Sequence, residues 1–339
     1  MTVENRSTFE HVIGPTGRFH LRQMGGDIEI RAVDGESVHV RERSGKSIAE
    51  AFRVDAGDGS LSLTSPDRGG IDLIVFGIGR RSSLDLEVEV PRLAEVSIET
   101  AGGDVVATGL AGNARFRTAS GDITLRDTSG NLEIDAVSGD VDVTAGGPVN
   151  LRSRTISGDL TIRAPQLGRS VIETTSGDVR LDAPFAGDGP FEVQTVSGDV
   201  TIIGRSGLRV EARTVTGDLR SELPHHFDSA PGRKLMTVGD GGTILRFRSV
   251  SGDLRIVAPR DRDGSSSTAI RNGPAGAQAP VAPVPPRPPM APHPAEAGRA
   301  VSGHEAGHEV ARLDILHALE RGELSVEAAM KRLADIEEA

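Results

Sequence analysis

The chain has 339 residues, a formal net charge of -11, 37% hydrophobic and 26% charged residues, a balance that suits a folded soluble domain. It holds no Cys, Trp or Tyr, 9 Phe and 42 Gly, which excludes disulfides, thiolate nucleophiles and thiolate metal sites and leaves any core to Val, Ile, Leu and small residues. No stretch is basic enough for counterion-releasing contact with nucleic acid, so no nucleic-acid partner is expected.

In chain order, residues 1–25 read as a lead-in. Met1 to Phe19 carries Glu4, Arg6, Glu10 and Arg18 and has no apolar stretch of the kind a secretory signal needs. The longest apolar run, Leu73 to Ile78, is far short of the roughly 20 residues of a membrane span. The expectation is therefore a cytoplasmic protein without a transmembrane segment. Arg80-Arg81 reads either as the end of a strand in a solvated turn or as a peripheral contact with an anionic membrane surface. Phe19 and Leu21 alternate ahead of Met24-Gly25-Gly26-Asp27-Ile28-Glu29-Ile30, a weak first copy of the motif that follows. Strand character continues at Val38, Val40, Leu61, Leu63, Leu84, Leu86, Val88 and Val90, with turn signals at Asp34-Gly35, Asp58-Gly59 and Gly69-Gly70. Residues 1–100 are expected to form irregular coils and a cap.

A strict repeat then takes over. Its corner is Gly103-Asp104, Gly121-Asp122, Gly139-Asp140, Gly158-Asp159, Gly177-Asp178, Gly198-Asp199, Gly217-Asp218 and Gly252-Asp253, and from Gly103 to Gly217 the steps are 18, 18, 19, 19, 21 and 19 residues. Counted from each glycine, apolar residues stand at minus seven and minus five (Val96 and Ile98, Leu132 and Ile134) and at plus two and plus four (Val141 and Val143, Leu160 and Ile162). Alternation on both sides of Ser-Gly-Asp predicts two half-buried strands joined by a sharp turn, and a period near twenty predicts a solenoid. At minus three the residue is small: Thr100, Thr118, Ala136, Thr155, Thr174, Thr195, Thr214 and Ser249. Like residues at one height fit parallel coils about 4.8 Å apart, where they pack or hydrogen-bond as a ladder. The predicted fold is all-β, a right-handed parallel β-solenoid, regular over residues 101–260. The long step from Gly217 to Gly252 predicts a loop, Leu223 to Lys234, inserted in one coil and followed by the poor copy Val238-Gly239-Asp240.

Residues 261–303 are rich in Pro and Ala and read as an extended disordered linker, either a plain spacer or a ligand for a proline-reading domain. Residues 304–339 predict a helical hairpin. Leu313, Leu316 and Leu319 stripe its first helix and Met330, Leu333 and Ile336 its second, with Gly322 as a C-cap and Ser325 as an N-cap between them. Two such short helices bury little by themselves, so these six residues are expected to bind a protein partner or a second copy.

Few motifs carry chemistry. At the Ser-Gly-Asp corner, glycine supplies the positive φ of a tight turn while Ser and Asp satisfy its backbone amides. The other reading is a carboxylate edge that binds Ca²⁺ or a cationic partner, although calcium rolls carry a denser Gly and Asp pattern. His304-Glu305-Ala306-Gly307-His308 matches the zinc-hydrolase pattern in which two His one helical turn apart share a metal, but no third ligand is evident. Sugar-processing β-helices cluster acids on one face and stack sugars on Trp or Tyr, which are absent. No catalytic residue and no cofactor are expected.

The repeats Thr155-Ile-Ser-Gly-Asp-Leu-Thr-Ile and Thr195-Val-Ser-Gly-Asp-Val-Thr-Ile resemble those of the bacterial "putative adhesin" family, a β-strand-repeat domain of unknown function, over about residues 10–258. The tail Ile315-Leu-His-Ala-Leu-Glu-Arg-Gly-Glu-Leu-Ser-Val-Glu-Ala-Ala is similar to SHOCT-like helical hairpins. The resemblance implies a link to cell-envelope stress responses and supplies no catalytic residues. The function expected is a non-enzymatic scaffold or interaction protein, with a surface or envelope adhesin as the alternative and a zinc-dependent hydrolase as a remote one.

Overall fold

A computed structural model describes residues 2–5, 7–66, 84–230 and 233–259. The linker at 261–303 and the hairpin at 304–339 lie outside the described residues. What is described is almost entirely β: one sheet system of stacked coils, plus a single short helix, Ile48–Ala51, capped by Ser47.

Each coil enters along one strand, turns at the corner and leaves along a second strand. Ala114 lies beside Val96 and Leu132, Phe116 beside Ile98 and Ile134, and Val141 beside Ile123 and Leu160, all in parallel register. Identical positions therefore form continuous columns through the interior. Phe116, Ile134, Val143, Ile162, Leu181, Val193 and Phe247 are fully buried, and burial of side chains this size stabilises by roughly 1.5–3 kcal/mol each. The segments that return the chain to the next coil are partly in register too, with Val149 beside Leu167 and Leu167 bridged to Phe185.

The order of coils differs from the order of the chain at both ends. Phe191–Ser197 pairs with Thr243–Ser251, and only that strand pairs in parallel with Leu208–Thr216. The Gly252 coil thus sits between the Gly198 and Gly217 coils. The chain reaches the terminal coil first, folds over it, then comes back inward. Of residues 223–234, expected as a loop, those described contribute instead to an antiparallel hairpin, His225–Ala230 with Arg233–Val238, whose second strand lies along Leu208–Thr216. Val238-Gly239-Asp240 is the turn leaving that hairpin, not a corner; Asp240 accepts a bond from the Gly242 N–H at 3.2 Å.

The same device appears at the start. Arg18–Gln23 and Ile28–Val33 form a regular coil next to the Gly103 coil, while Ser60–Thr64 and Leu86–Pro91 stack outside it. Arg53–Gly57 pairs antiparallel with Ser60–Thr64, and Ser37–Glu42 pairs antiparallel with Leu86–Pro91. Antiparallel strands cover edges that would otherwise invite another coil.

Candidate functional site

The corner is the element that recurs, and its geometry explains its composition. From Gly103 to Gly198 the corner glycines have φ between +99° and +139°. A Cβ on Gly121, Gly139, Gly158, Gly177 or Gly198 would fall 2.1–2.3 Å from the carbonyl oxygen of the preceding corner glycine. Glycine is required twice, by the backbone angle and by the close stacking of coils. Leu84 takes the glycine's place in the outermost coil, because among the described residues no corner precedes it in the stack.

The aspartates do not close their own turns, as the sequence led us to expect. Each carboxylate instead accepts a hydrogen bond from the backbone N–H of the next aspartate in the stack. The Oδ1 atoms of Asp85, Asp27, Asp104, Asp122 and Asp140 take the N–H groups of Asp27, Asp104, Asp122, Asp140 and Asp159 at 2.8–3.1 Å. Asp159, Asp178, Asp199 and Asp253 then take those of Asp178, Asp199, Asp253 and Asp218 at 2.8–2.9 Å. The carbonyl of each coil's aspartate accepts in return from the residue after the neighbouring aspartate, as in Val141 N to Asp159 O at 2.8 Å. The result is one inter-coil ladder. At its end Arg220 donates to Asp218 Oδ2 at 3.0 Å, which raises the guanidinium pKa.

Asp85 was missed as a member because Leu84 replaces the glycine. The signal was present in Asp85-Leu86-Glu87-Val88, which keeps the second half of the repeat. Among the described residues no group of three or more His, Asp or Glu side chains is arranged to hold a metal. His304 and His308, and the hairpin residues Leu313, Leu316, Leu319, Met330, Leu333 and Ile336, lie outside the described residues.

The Thr column is aligned as predicted, Thr118 beside Thr100 and Thr155 beside Thr174, but it is not a hydrogen-bonded ladder. Thr100 and Thr118 bond locally, to Gly102 O at 2.7 Å and Ser120 O at 2.9 Å. The buried hydroxyls of Thr155, Thr174, Thr195 and Ser249 have no hydrogen-bond partner. Asn113, Asn131 and Asn150 form a true side-chain ladder, at 2.8 and 2.9 Å, on the outer surface.

A second column went unremarked in the sequence. Two residues before the corner glycine the side chain points outward, and there Met24, Val137, Val196, Val250 and Val215 are 57%, 45%, 48%, 45% and 78% exposed. Ile156 continues the column, half-buried, while Ala101, Ala119 and Thr175 hold the same place in the remaining coils. Strand alternation foretold it: a residue next to the inward Thr must face out.

Fold and corner together define an all-β solenoid stitched by an aspartate ladder. The family described as Toastrack DUF4097 matches residues 18–257, and the chain belongs to that family. Comparison with the curated proteins gives no match. Similar solved structures include a "putative lipid binding protein" from Parabacteroides distasonis, 11% identical, covering 75% of this chain and 96% of that one with a TM-score of 0.42. Others are a "putative adhesin" from Bacteroides fragilis (15% identity, 73% and 95% covered, TM-score 0.27) and a "putative cell adhesion protein" from Clostridium sporogenes (9% identity, 75% and 100% covered, TM-score 0.23).

Proposed function

We propose that this protein acts by binding rather than by catalysis. The coil stack is the scaffold, and the helical pair expected at 304–339 joins it, across the Pro-rich tether, to a second copy or to a protein partner. The observation that carries the reading is the exposed apolar run of Val196, Val250 and Val215 on three neighbouring coils, with Ile156 and Val137 beyond Thr175, since exposed apolar surface shared by adjacent coils marks an interaction site more often than chance exposure does. A stack of like coils presents like side chains at regular height, so weak contacts add up along it. Among the described residues no helix is long and apolar enough to cross a membrane. We place the protein in the cytoplasm, with its partner there or at the membrane face.

Light scattering on the full chain and on a form ending at Arg260 tests the arrangement. A full-length mass above the monomer that falls on truncation supports self-association through the tail. Equal monomeric masses exclude it and leave a hetero-partner, to be captured by the wild-type chain and lost with Val137→Asp plus Val196→Asp. If neither occurs, the binding reading fails; recovery of the protein from the cell exterior would point to the adhesin alternative.

A further inference from the structure

One row of side chains on the outer surface alternates in sign along most of the stack and then stops doing so. Four residues before each corner glycine the outward residues run, in stack order, Arg22, Glu99, Arg117, Asp135, Arg154, Glu173, Gln194, Arg248 and Arg213. From Arg22 to Glu173 the sign alternates at every coil. Arg117 lies 3.3 Å from Glu99 and 3.2 Å from Asp135, and Arg154 lies 3.0 Å from Glu173. In the neighbouring row Arg115 pairs with Glu133 at 2.5 Å and Arg246 with Glu192 at 3.2 Å. After the uncharged Gln194 the alternation stops, and Arg248 stands directly beside Arg213.

The capping hairpin adds a third cation. Its ladder with Leu208–Thr216 ends at Ala212 opposite Lys234, one residue short of both Arg213 and Arg233. Arg213, Arg233 and Arg248 line one shallow cavity of about 90 Å³ together with Arg246, Glu211 and Phe247. Among the described residues none of the three makes a side-chain hydrogen bond or ion pair, and Glu211, the single carboxylate in the lining, has no cation within 4.0 Å. Like charges side by side on adjacent strands repel, and a bound anion would relieve that repulsion. Guanidinium groups are planar forks matched to tetrahedral oxyanions, and adjacent strands about 4.8 Å apart let three of them converge on one group.

We propose that Arg213, Arg233 and Arg248 form a binding site for a phosphate-bearing anion at the terminal coil, separate from the apolar column. A phosphate ester presents several oxygens and up to two charges, enough to engage all three guanidinium groups at once. The same chemistry is offered by a soluble phosphate compound and by a phosphomonoester lipid headgroup.

Calorimetric titration of the full chain with inorganic pyrophosphate, and co-sedimentation with phosphatidylcholine vesicles with and without phosphatidic acid, separate these sources. Pyrophosphate binding without vesicle binding assigns a soluble ligand; phosphatidic acid-dependent sedimentation, displaced by pyrophosphate, assigns a headgroup. Arg248→Gln and Arg213→Gln are each expected to weaken binding about ten-fold, and Arg248→Lys less, because it keeps the charge but loses the fork. Arg115→Gln, outside the cavity, serves as the control for lost surface charge. The Lys variant also answers for any Gln variant whose circular dichroism shows it unfolded. Absence of binding to either probe at low salt overturns the site, and so does an equal loss in Arg115→Gln.

Discussion

Gly139→Ala is the sharpest probe of how the coils are held. Gly139 has φ +119°, in a region that costs an L-residue about 1–3 kcal/mol. The new methyl carbon would sit 2.3 Å from Gly121 O, a backbone atom that cannot swing aside, and 3.2 Å from Asp122 Oδ1. Relief requires the two corners to part, which lengthens the bonds from Asp140 N to Asp122 Oδ1 at 2.8 Å and from Ile123 N to Asp140 O at 2.9 Å. At about 1 kcal/mol for each hydrogen bond, the total loss comes to roughly 3–5 kcal/mol. With no Trp or Tyr in the chain, urea unfolding is best followed by far-ultraviolet circular dichroism. Gly35→Ala is the reference, because a Cβ there meets nothing within 4 Å. If Gly139→Ala costs no more than Gly35→Ala, the corner glycines are not required by stacking and the reasoning is refuted.

Three further outcomes follow from the same geometry. Asp140→Asn keeps an oxygen to accept the Asp159 N–H and removes one of a line of like charges, so its urea midpoint should equal or exceed wild type, while Asp140→Ala should lose about 1 kcal/mol; equal losses in both would mean that the charge itself is used. Thr174→Val removes a buried hydroxyl without a partner and keeps the β-branched shape, and stability should rise by about 1 kcal/mol, whereas a fall would show that the hydroxyl is bonded. Glu42 is 3% exposed; burial pushes its pKa up, but hydrogen bonds from Ser44 Oγ at 2.5 Å and the Lys46 N–H at 2.7 Å outweigh that, and the pKa lies below the ordinary 4.5. A depressed folded pKa stabilises at neutral pH, and this contribution is lost as pH falls below the ordinary Glu range. Wild type should therefore lose more stability than Glu42→Gln between neutral and acid pH, and parallel pH curves would refute the assignment.

The corner, the inward columns and the parallel direction of the stack were all legible before any coordinates. An in-register parallel coil puts each residue against its counterpart, so the demands of stacking are printed once per repeat. Val141 and Val143 face the core, and Gly139 turns the chain, for reasons already visible in the alternation. The partner of the aspartate carboxylate was not legible. Whether Asp140 satisfies its own turn or the Asp159 N–H depends on the distance between coils, and both readings fit Ser-Gly-Asp equally well.

Sequence by itself thus determined the unit: a two-stranded coil with a glycine corner and a buried aliphatic interior. Tertiary structure alone decided the order of the units. Every coil offers its neighbour the same edge, so the Gly252 coil fits beside Gly198 as well as the Gly217 coil would, and local preference cannot choose between them. The choice is made by chain segments that do not obey the repeat. His225–Ala230 and Arg233–Val238 fold back over Leu208–Thr216 and send the chain inward, and Arg53–Gly57 covers Ser60–Thr64 at the other end. Arg233 joins Arg213 and Arg248 only because that hairpin closes the stack.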